Sequence, residues 1–285
     1  MPQPSIRYNQ PPPQIPEPGA VAYGQDEYGY WQAFDVAGVE QIFRWIHPGT
    51  FTMGSPADEP ERYDDETEHE VTLSQGFWLA DTACTQALWQ AVMASNPSYF
   101  NNKQLSENSS GKSVDSSQHP VEQVSWEDCQ AFIAKLNQLA PHWQVRLPLE
   151  AEWEYACRAG TTTPFSFGKN ITTDQVNYDG NYPYNGAEKG EDRDQTIPVK
   201  ELPATPWGLY QMNGNVWEWC QDWFLEDLGR QPQQDPPGPA EGSSRVLRGG
   251  SWDDYARDCR SAYRGRDSPG FRNDLIGLRL ARGIL

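Results

Sequence analysis

Residues 208–219 read Gly-Leu-Tyr-Gln-Met-Asn-Gly-Asn-Val-Trp-Glu-Trp, and no other stretch of the chain says as much about its fold. A second informative stretch, residues 245–252, reads Arg-Val-Leu-Arg-Gly-Gly-Ser-Trp. Both place large aromatic side chains beside glycines, the residues that tight turns favour. Each stretch alone is weak evidence. Together, in this order, they indicate a fold in which buried tryptophans lie where irregular loops meet the core.

The composition supports a loop-rich globular domain. The chain has 285 residues, of which 37% are hydrophobic, with 12 Trp, 13 Tyr and 10 Phe. Aromatic side chains bury a large area each, so a core can form although aliphatic residues are few. The 24 Gly and 24 Pro residues disfavour long helices and a large parallel sheet, because such elements do not tolerate so many breakers.

The formal net charge of −18 restricts the kinds of partner. Nucleic-acid binding depends on Lys and Arg that neutralise phosphates, so we expect no nucleic-acid partner. An anionic membrane surface would also repel this chain, and we expect no membrane partner. A bound cation or a basic partner suits the charge better.

The cysteines indicate a reducing compartment. There are five, an odd number, and no two have a C-x-x-C spacing. The N-terminal sequence lacks the basic and apolar regions of a signal peptide, and no apolar run reaches membrane-spanning length. We therefore predict a cytoplasmic protein with reduced thiols that pack in the core.

The chain divides into an arm and one domain. Residues 1–22 are a proline-rich N-terminal arm, and residues 23–285 contain no internal repeat. We expect the arm to be a disordered tail. The alternative is an arm that docks on a neighbouring molecule or on the body of the protein.

Hydrophobic patterning predicts short strands and two main helices. The predicted strands occupy residues 43–46, 51–54 and 71–79. Helical spacing predicts a short helix at 85–93 and the main helices at 125–138 and 148–158. The predicted loops are the acidic stretch 58–70 and residues 101–118, 160–206 and 225–244.

Six segments, in this order, resemble landmarks of the formylglycine-generating enzyme (sulfatase-modifying factor) family. They are Phe-Thr-Met-Gly-Ser at 51–55, Pro-Val-Glu-Gln-Val-Ser-Trp at 120–126, Arg-Leu-Pro-Leu-Glu-Ala-Glu-Trp-Glu-Tyr-Ala at 146–156, Gly-Asn-Val-Trp-Glu-Trp at 214–219, Arg-Gly-Gly-Ser-Trp at 248–252 and Gly-Leu-Arg at 277–279. The resemblance covers residues 43–282. It implies an α+β, C-type-lectin-like fold of the formylglycine-generating-enzyme type, loop-rich, with short antiparallel strands and two main helices. It does not name the activity, because one scaffold hosts many sites.

The resemblance also implies which catalytic residues are missing. The family's oxidase holds copper with two cysteines after the Gly-Gly-Ser-aromatic motif, and the first of these positions is Asp254 in this chain. Cys259 is the only later thiol, whereas Cu(I) requires two soft thiolates. Another branch holds iron with histidines, but the four histidines here are scattered. We predict no catalytic residues of either kind, and neither copper nor iron.

Two structural calcium ions are implied by the resemblance, and the first would pin a loop of the second half. Its ligands would be the side chains of Asn177 and Glu191 and the carbonyl oxygens of Tyr178 and Arg193. Such hard oxygen ligands are what calcium requires.

The second calcium ion would lie within residues 211–218. Its ligands would be the side chains of Gln211 and Glu218 and the carbonyl oxygens of Gly214 and Val216. Gln211 stands where the family has Asn. The alternative is that Glu218 and its neighbour Asn215 hydrogen-bond the loop backbone instead.

The segment 245–280 mixes two kinds of position. Framework positions are Arg257, Cys259, Arg260, Ser261, Ala262, Arg264, Arg266, Pro269, Arg272, Ile276 and Gly277. Between them lie the candidate ligand-binding residues Asp253, Asp254, Tyr255, Asp258, Tyr263, Asp267, Phe271, Asn273 and Asp274. The second group resembles the variable region of proteins diversified by retroelements, because every residue in it can arise by altering adenines of an Asn-type codon. The alternative is an ordinary family tail rich in Asn, Asp and Arg.

Two functions from different classes follow. The first is a non-enzymatic ligand-binding (display) protein, the variable protein of a diversity-generating retroelement, that binds a protein or other ligand through its C-terminal segment. The alternative is an oxidase or other modifying enzyme of the family that acts on a peptide or small molecule. The first requires exposed aromatics, so we predict that at least two of Tyr255, Tyr263 and Phe271 are accessible and lie on one face with Asp253, Asp254 and Asp274. The opposite expectation is that all three rings fill the core.

Overall fold

The computed structural model describes residues 10–108 and 114–283, in which strands form three sheets. The strands are β1 Ala22–Asp26, β2 Gly29–Val36, β3 Val39–Ile46, β4 Gly49–Met53, β5 His69–Leu73, β6 Phe77–Ala80, β7 Val145–Arg146, β8 Trp217–Trp223, β9 Gln233–Gln234, β10 Arg245–Arg248, β11 Gly265–Asp267, β12 Ile276–Leu278 and β13 Ala281–Arg282. The helices are α1 Gln86–Met93, α2 Asn102–Asn108, α3 Trp126–Leu139 and α4 Glu150–Arg158. Short 3-10 turns occur at Tyr184–Gly186 and Ala256–Cys259.

The largest sheet has six strands in the order β1-β2-β3-β6-β13-β7, all antiparallel. Helices α1 and α3 pack beside it, and the rings of Trp89 and Phe132 stack with centroids 4.7 Å apart. Phe34 and Phe43 of the sheet contact Trp143 edge-on or tilted. Aromatic side chains thus supply much of this core, as the composition indicates.

A four-stranded sheet brings three of the sequence landmarks together. Its order is β11-β10-β8-β12, with β8 antiparallel to β10 and parallel to β12. Glu218 of β8 lies opposite both Arg248 of β10 and Gly277 of β12. A third sheet pairs β5 with β4 and with β9. Segments that are distant in sequence therefore meet around one central strand.

Helix α3 begins where the sequence predicts, with Ser125 as its N-cap. The Ser125 hydroxyl accepts the backbone N–H of Asp128, and the Asp128 carboxylate accepts that of Ser125. Such a capping box satisfies two backbone donors that a helix end leaves free. Cys129, Phe132 and Leu136 lie on its buried face.

The predicted fold class is confirmed, and both main helices occur within two residues of their predicted bounds. Two local predictions are wrong. Residues 71–79 hold two strands rather than one, because the chain bends at Gln75 and the next residue is Gly76, where a side chain would lie 2.4 Å from the ring of Trp45. Part of the predicted loop 101–118 is helix α2, while residues 109–113 lie outside the described part of the chain.

The described part of the N-terminal arm docks on the body of the protein. The Glu17 carboxylate accepts the indole N–H of Trp78 at 2.7 Å and forms an ion pair with Arg282. The carbonyl oxygen of Gln10 accepts the indole N–H of Trp45 at 3.0 Å. The expectation of a disordered tail is therefore wrong for residues 10–20, and residues 1–9 lie outside the described residues. None of the helices described is both long and apolar enough to cross a membrane.

Candidate functional site

Four arginines near the C-terminus lie in the protein interior and bind carboxylates from other parts of the fold. They are Arg248, Arg260, Arg264 and Arg279. Each is at most 6% exposed. A guanidinium group stays charged in proteins and presents five donors in a fixed plane, so it can bridge several backbone segments when it is buried. These residues hold the C-terminal segment in place, and they are called the arginine framework below.

Arg260 fastens the C-terminal segment to the acidic loop 58–70. Its guanidinium contacts the Glu66 carboxylate at 2.6 Å and the Glu59 carboxylate at 2.7 Å. Burial alone would lower the pKa of Arg260, but the two carboxylates raise it above its usual value. Glu59 and Glu66 are buried, so the expectation that this loop is merely solvated is wrong for them.

Arg264 and Arg248 bind helix α4. The Arg264 guanidinium donates to both oxygens of Glu150, at 2.7 and 3.0 Å, and Arg248 forms an ion pair with Glu154. Burial of Glu150 by itself favours the neutral acid, but Arg264 and Arg248 hold its pKa below the ordinary value. Two carboxylates of this buried helix, those of Glu150 and Glu154, are thus paired with arginines of the C-terminal segment.

Arg279 completes the framework by binding Glu218 of the central strand β8. Its guanidinium donates to both Glu218 oxygens, at 2.7 and 2.9 Å. The same carboxylate accepts the indole N–H of Trp153 at 2.7 Å. Glu218 therefore joins three of the sequence landmarks by direct hydrogen bonds.

Between the framework residues, the chain lines an open cleft of about 620 Å³. Its candidate ligand-binding residues are Tyr263, Asp267, Phe271 and Asn273. Other walls come from Tyr63, Asp64, Asp65, Trp217, Phe224, Leu247 and Glu226 and from the framework residue Arg264. This volume is in the range of small-ligand pockets.

Two of the three candidate aromatics are exposed. Phe271 is 40% exposed at the cleft, and Tyr255 is 37% exposed outside it. Tyr263 is half-buried, its ring lies edge-on to Tyr63 at 5.2 Å, and burial raises the pKa of its hydroxyl. The opposite expectation, in which all three rings fill the core, does not describe this structure.

A row of rings and one guanidinium connects Tyr255 to the cleft. Tyr255 stacks on Tyr182 with centroids 4.0 Å apart. The Arg257 guanidinium lies 5.3 Å from the Tyr255 ring and 6.0 Å from the Tyr63 ring. Because Tyr63 in turn contacts Tyr263, Tyr255 and the cleft belong to one continuous surface, called the display face below.

Asp267 is the acidic candidate of the C-terminal segment that lines the cleft, so the cleft does not gather Asp253, Asp254 and Asp274. Asp253 is exposed, and Asp254 is half-buried with its carboxylate on the Ser251 hydroxyl. Burial and the neighbouring Asp254 raise the pKa of Asp258 to about 6. Asp274 is half-buried, and its backbone carbonyl accepts the indole N–H of Trp252.

Sequence reasoning missed the part of the cleft that does not come from the C-terminal segment. Tyr63, Asp64 and Asp65 come from the acidic loop, and Phe224 and Glu226 follow strand β8. Arg266, expected to be framework, is exposed in the cleft and pairs with Glu226. The density of acidic residues in 58–70 was a visible signal, but nothing local shows that it meets residues 263–273.

The residues expected at the first calcium site lie in two loops that contact each other. The Gly190 N–H donates to the Gly180 carbonyl at 2.9 Å, which places residues 177–180 beside residues 190–193. The Oδ1 atom of Asn177 is buried and has no hydrogen-bond partner among the described residues. The Glu191 carboxylate is two-thirds exposed and lies 3.0 Å from Arg193. The buried, unpaired amide oxygen of Asn177 is of the kind that calcium binds, whereas the Glu191 carboxylate already forms an ion pair with Arg193.

The side chains expected at the second calcium site are already engaged within the protein. Both oxygens of Glu218 bind Arg279 or Trp153. The Gln211 Oε1 atom accepts an N–H of Asn215 at 2.5 Å. The residues at this position therefore fit a calcium ion less well than those of the first site.

The residues at the two positions where the family's oxidase holds copper are not a suitable pair of copper ligands. Asp254 takes the place of the first thiol, as the sequence shows, and Cys259 is fully buried. Burial raises the pKa of the Cys259 thiol well above its usual value. A side chain at Gly250 would lie 2.6 Å from the Cys259 sulfur, so backbone packs directly on this atom. Cys259 behaves as a core residue, because a reactive or metal-binding cysteine needs a thiolate.

Comparisons with known proteins agree with this architecture. Treponema denticola variable protein 1 has 30% sequence identity, a TM-score of 0.74, and the match covers 88% of this chain and 98% of that one. PvdO from Pseudomonas aeruginosa has 25% identity and a TM-score of 0.65, with 86% and 94% covered. Both similarities extend over nearly the whole of the known structure.

Two curated relatives match over a shorter stretch. Formylglycine-generating enzyme of Streptomyces coelicolor is 39% identical over 57% of this chain and 52% of its own length. Serine/threonine-protein kinase pkn1 of Chlamydia caviae is 38% identical over 58% of this chain and 24% of its own length. The chain thus spans about a quarter to a half of these relatives. The Sulfatase-modifying factor enzyme 1-like domain matches residues 38–284, and the chain belongs to this family.

Proposed function

We propose that this protein is a non-enzymatic ligand-binding protein that presents a replaceable binding surface, the variable protein of a diversity-generating retroelement. The observation that carries the proposal is the separation of roles within one segment. Arg260 and Arg264 are buried and ion-paired, whereas Tyr255, which precedes them, and Asp267 and Phe271, which follow them, line the display face. A rigid framework with accessible aromatic and small polar residues is what a recognition surface needs.

Similarity to Treponema denticola variable protein 1 supports this proposal, because it extends over 88% of the chain. The cleft supports it as well. Its exposed Phe271 and Tyr63 would cost solubility unless a partner covers them. The ligand would contact these rings and the polar side chains of Asp267 and Asn273.

The alternative, an oxidase or other modifying enzyme, is favoured by the similarity to formylglycine-generating enzymes. A copper titration separates the two functions. We expect no tight Cu(I) binding, because Asp254 supplies no thiolate. Tight Cu(I) binding together with oxygen consumption in the presence of a peptide thiol would contradict the proposal. The same titration of an Asp254→Cys variant tests whether the assay detects a restored pair.

A genomic observation tests the diversification itself. A repeat beside the gene that matches codons 253–275 and differs only at adenines, next to a reverse transcriptase gene, is the expected arrangement. Invariant codons at these positions among closely related strains would contradict it.

We also propose one structural calcium ion, held by Asn177, Glu191 and the carbonyl oxygens of Tyr178 and Arg193. The unpaired Oδ1 atom of Asn177 supports this ion. When bound, the ion would fix the loop 177–193, which contains Tyr182, and the ring of Tyr182 stacks on Tyr255 of the display face. The second ion, at Gln211 and Glu218, stays a prediction.

A further inference from the structure

The cleft of the display face carries more negative than positive charge. Four carboxylates line it, those of Asp64, Asp65, Glu226 and Asp267, against the two guanidinium groups of Arg264 and Arg266. Asp64 is fully exposed and lies no nearer than 3.8 Å to Arg62.

Both guanidinium groups in the cleft already have carboxylate partners. Arg264 donates to both oxygens of Glu150, a residue of helix α4 that does not line the cleft. Arg266 pairs with Glu226 at the rim. The other three cleft carboxylates therefore form no ion pair with a cleft arginine. They belong to Asp64, Asp65 and Asp267.

Aromatic rings lie among these carboxylates. Tyr63 and Phe271 are 39% and 40% exposed, and both line the cleft. The protein itself places a cation on one of these rings, because the Arg257 guanidinium lies 6.0 Å from the centre of Tyr63. The electron-rich faces of such rings attract guanidinium and ammonium groups.

We propose that the cleft binds a protein partner through an arginine or lysine side chain that inserts between Tyr63 and Phe271 and faces Asp64, Asp65 and Asp267. This inference rests on the proposed function and names the chemical class of its ligand. The cleft carboxylates would repel an acidic partner, and such repulsion between like charges is one way in which binding surfaces reject wrong partners. A neutral apolar partner would bury carboxylates without compensation, which is costly.

Three end-blocked peptides test the charge preference directly. They share the sequence Gly-X-Gly-X-Gly, in which X is arginine, citrulline or glutamate. Citrulline keeps nearly the same shape as arginine but has no charge. Binding is measured by NMR titration of the ring resonances of Phe271, assigned with the Phe271→Ala variant. We expect the arginine peptide to shift these resonances and to bind at least about tenfold more tightly than the citrulline peptide, and the glutamate peptide not to bind.

A matched pair of variants separates the cleft from the net charge of the molecule. The cleft variant carries Asp64→Asn, Asp65→Asn and Asp267→Asn. The control variant removes three exposed negative charges outside the cleft, with Asp174→Asn, Glu188→Gln and Glu241→Gln. We expect the cleft variant to bind the arginine peptide on the order of tenfold more weakly and the control to bind it nearly as the parent does. Thermal unfolding of both verifies that they are folded.

The possible results distinguish this inference from the proposed function. If the citrulline peptide shifts the Phe271 resonances and binds as tightly as the arginine peptide, the cleft is a binding site but the inferred ligand class is wrong. If both triple variants lose affinity equally, the peptide senses only net charge, and the inference is also wrong. If no peptide shifts the Phe271 resonances, the inferred ligand class is wrong. The proposed function fails on a different result, namely that replacing display-face residues never changes what the protein binds.

Discussion

Within the C-terminal segment, the arginine framework and the display face differ in the burial of their side chains and in the partners that those side chains contact. Arg260 is fully buried and bridges two carboxylates, whereas Phe271 is 40% exposed and its ring has no close aromatic partner among the described residues. The difference shows that one short segment combines side chains that bind the interior of the protein with side chains that face the solvent. Buried ion pairs fix the path of the chain, whereas the exposed side chains of Tyr255 and Phe271 take no part in them.

The largest expected effect comes from breaking the framework. Arg260→Leu removes the guanidinium that pairs with Glu59 and Glu66, which would then be buried carboxylates without this cationic partner. We expect the free energy of unfolding to fall by about 3–5 kcal/mol, measured by urea denaturation. The matched control is Arg272→Leu, since Arg272 is an exposed arginine of the same segment. A loss below about 1 kcal/mol for Arg260→Leu would contradict the role given to the framework.

A second effect concerns the buried acid Glu122. Burial raises its pKa to about 8, although its carboxylate accepts the backbone N–H groups of Tyr99 and Phe100. Because the folded-state pKa lies above the unfolded one, the neutral acid favours folding at low pH. This stabilisation is present below about pH 4.5 and is lost as the pH rises through 8.

The Glu122→Gln variant checks this linkage. Its amide cannot ionise, so its free energy of unfolding should depend less on pH between 5 and 8 than that of the parent. Over this pH range the free energy of unfolding of the parent should fall relative to that of the variant by a few kcal/mol, on the order of 1.4 kcal/mol per pKa unit. Parallel curves for the two proteins would mean that Glu122 does not titrate in this range.

We expect the stabilisation by calcium to be comparable to or smaller than the effect of Glu122. If the ion binds only the folded state, a concentration of about a hundred times Kd adds roughly 2.7 kcal/mol of stability. We expect a chelator to lower the unfolding midpoint of the parent. An Asn177→Ala variant should show no response to the chelator, because it lacks the unpaired Oδ1 atom. An unchanged midpoint of the parent after verified metal removal would count against the ion.

The smallest effects on stability are expected at the display face. Tyr255→Ala and Asp267→Ser remove side chains that are exposed or half-buried. We expect each to change the free energy of unfolding by about 0.5 kcal/mol or less. Losses that match Arg260→Leu would show that the face is part of the core, and the comparison between the two regions would fail.

The sequence predicted the elements whose signals are local. Helix α3 follows from the Ser125 cap and the spacing of Cys129, Phe132 and Leu136. The landmarks around Trp217 and Gly249 led to the correct family and fold class. These signals are local because turns, caps and amphipathic faces are set by neighbouring residues.

Contacts between distant segments could not be predicted in the same way. Arg260 and Glu66 are 194 residues apart in the chain, and neither residue alone indicates its partner. The same holds for Tyr63 and Tyr263, whose rings meet at the cleft. The candidate residues of the C-terminal segment were visible in sequence, but the opposite wall of their site depends on tertiary packing.

The most direct test of the central claim is selection from two libraries of this protein. One library randomises Asp253, Tyr255, Asp267, Phe271 and Asn273 on the display face, and the other randomises the exposed residues Glu40, Asp174, Glu188, Glu201 and Glu241. Both are displayed on yeast and selected against several unrelated target proteins, with folding measured in parallel. We predict folded, target-specific binders from the first library and few or none from the second. Equal yields from both libraries, or loss of folding throughout the first, would contradict the account.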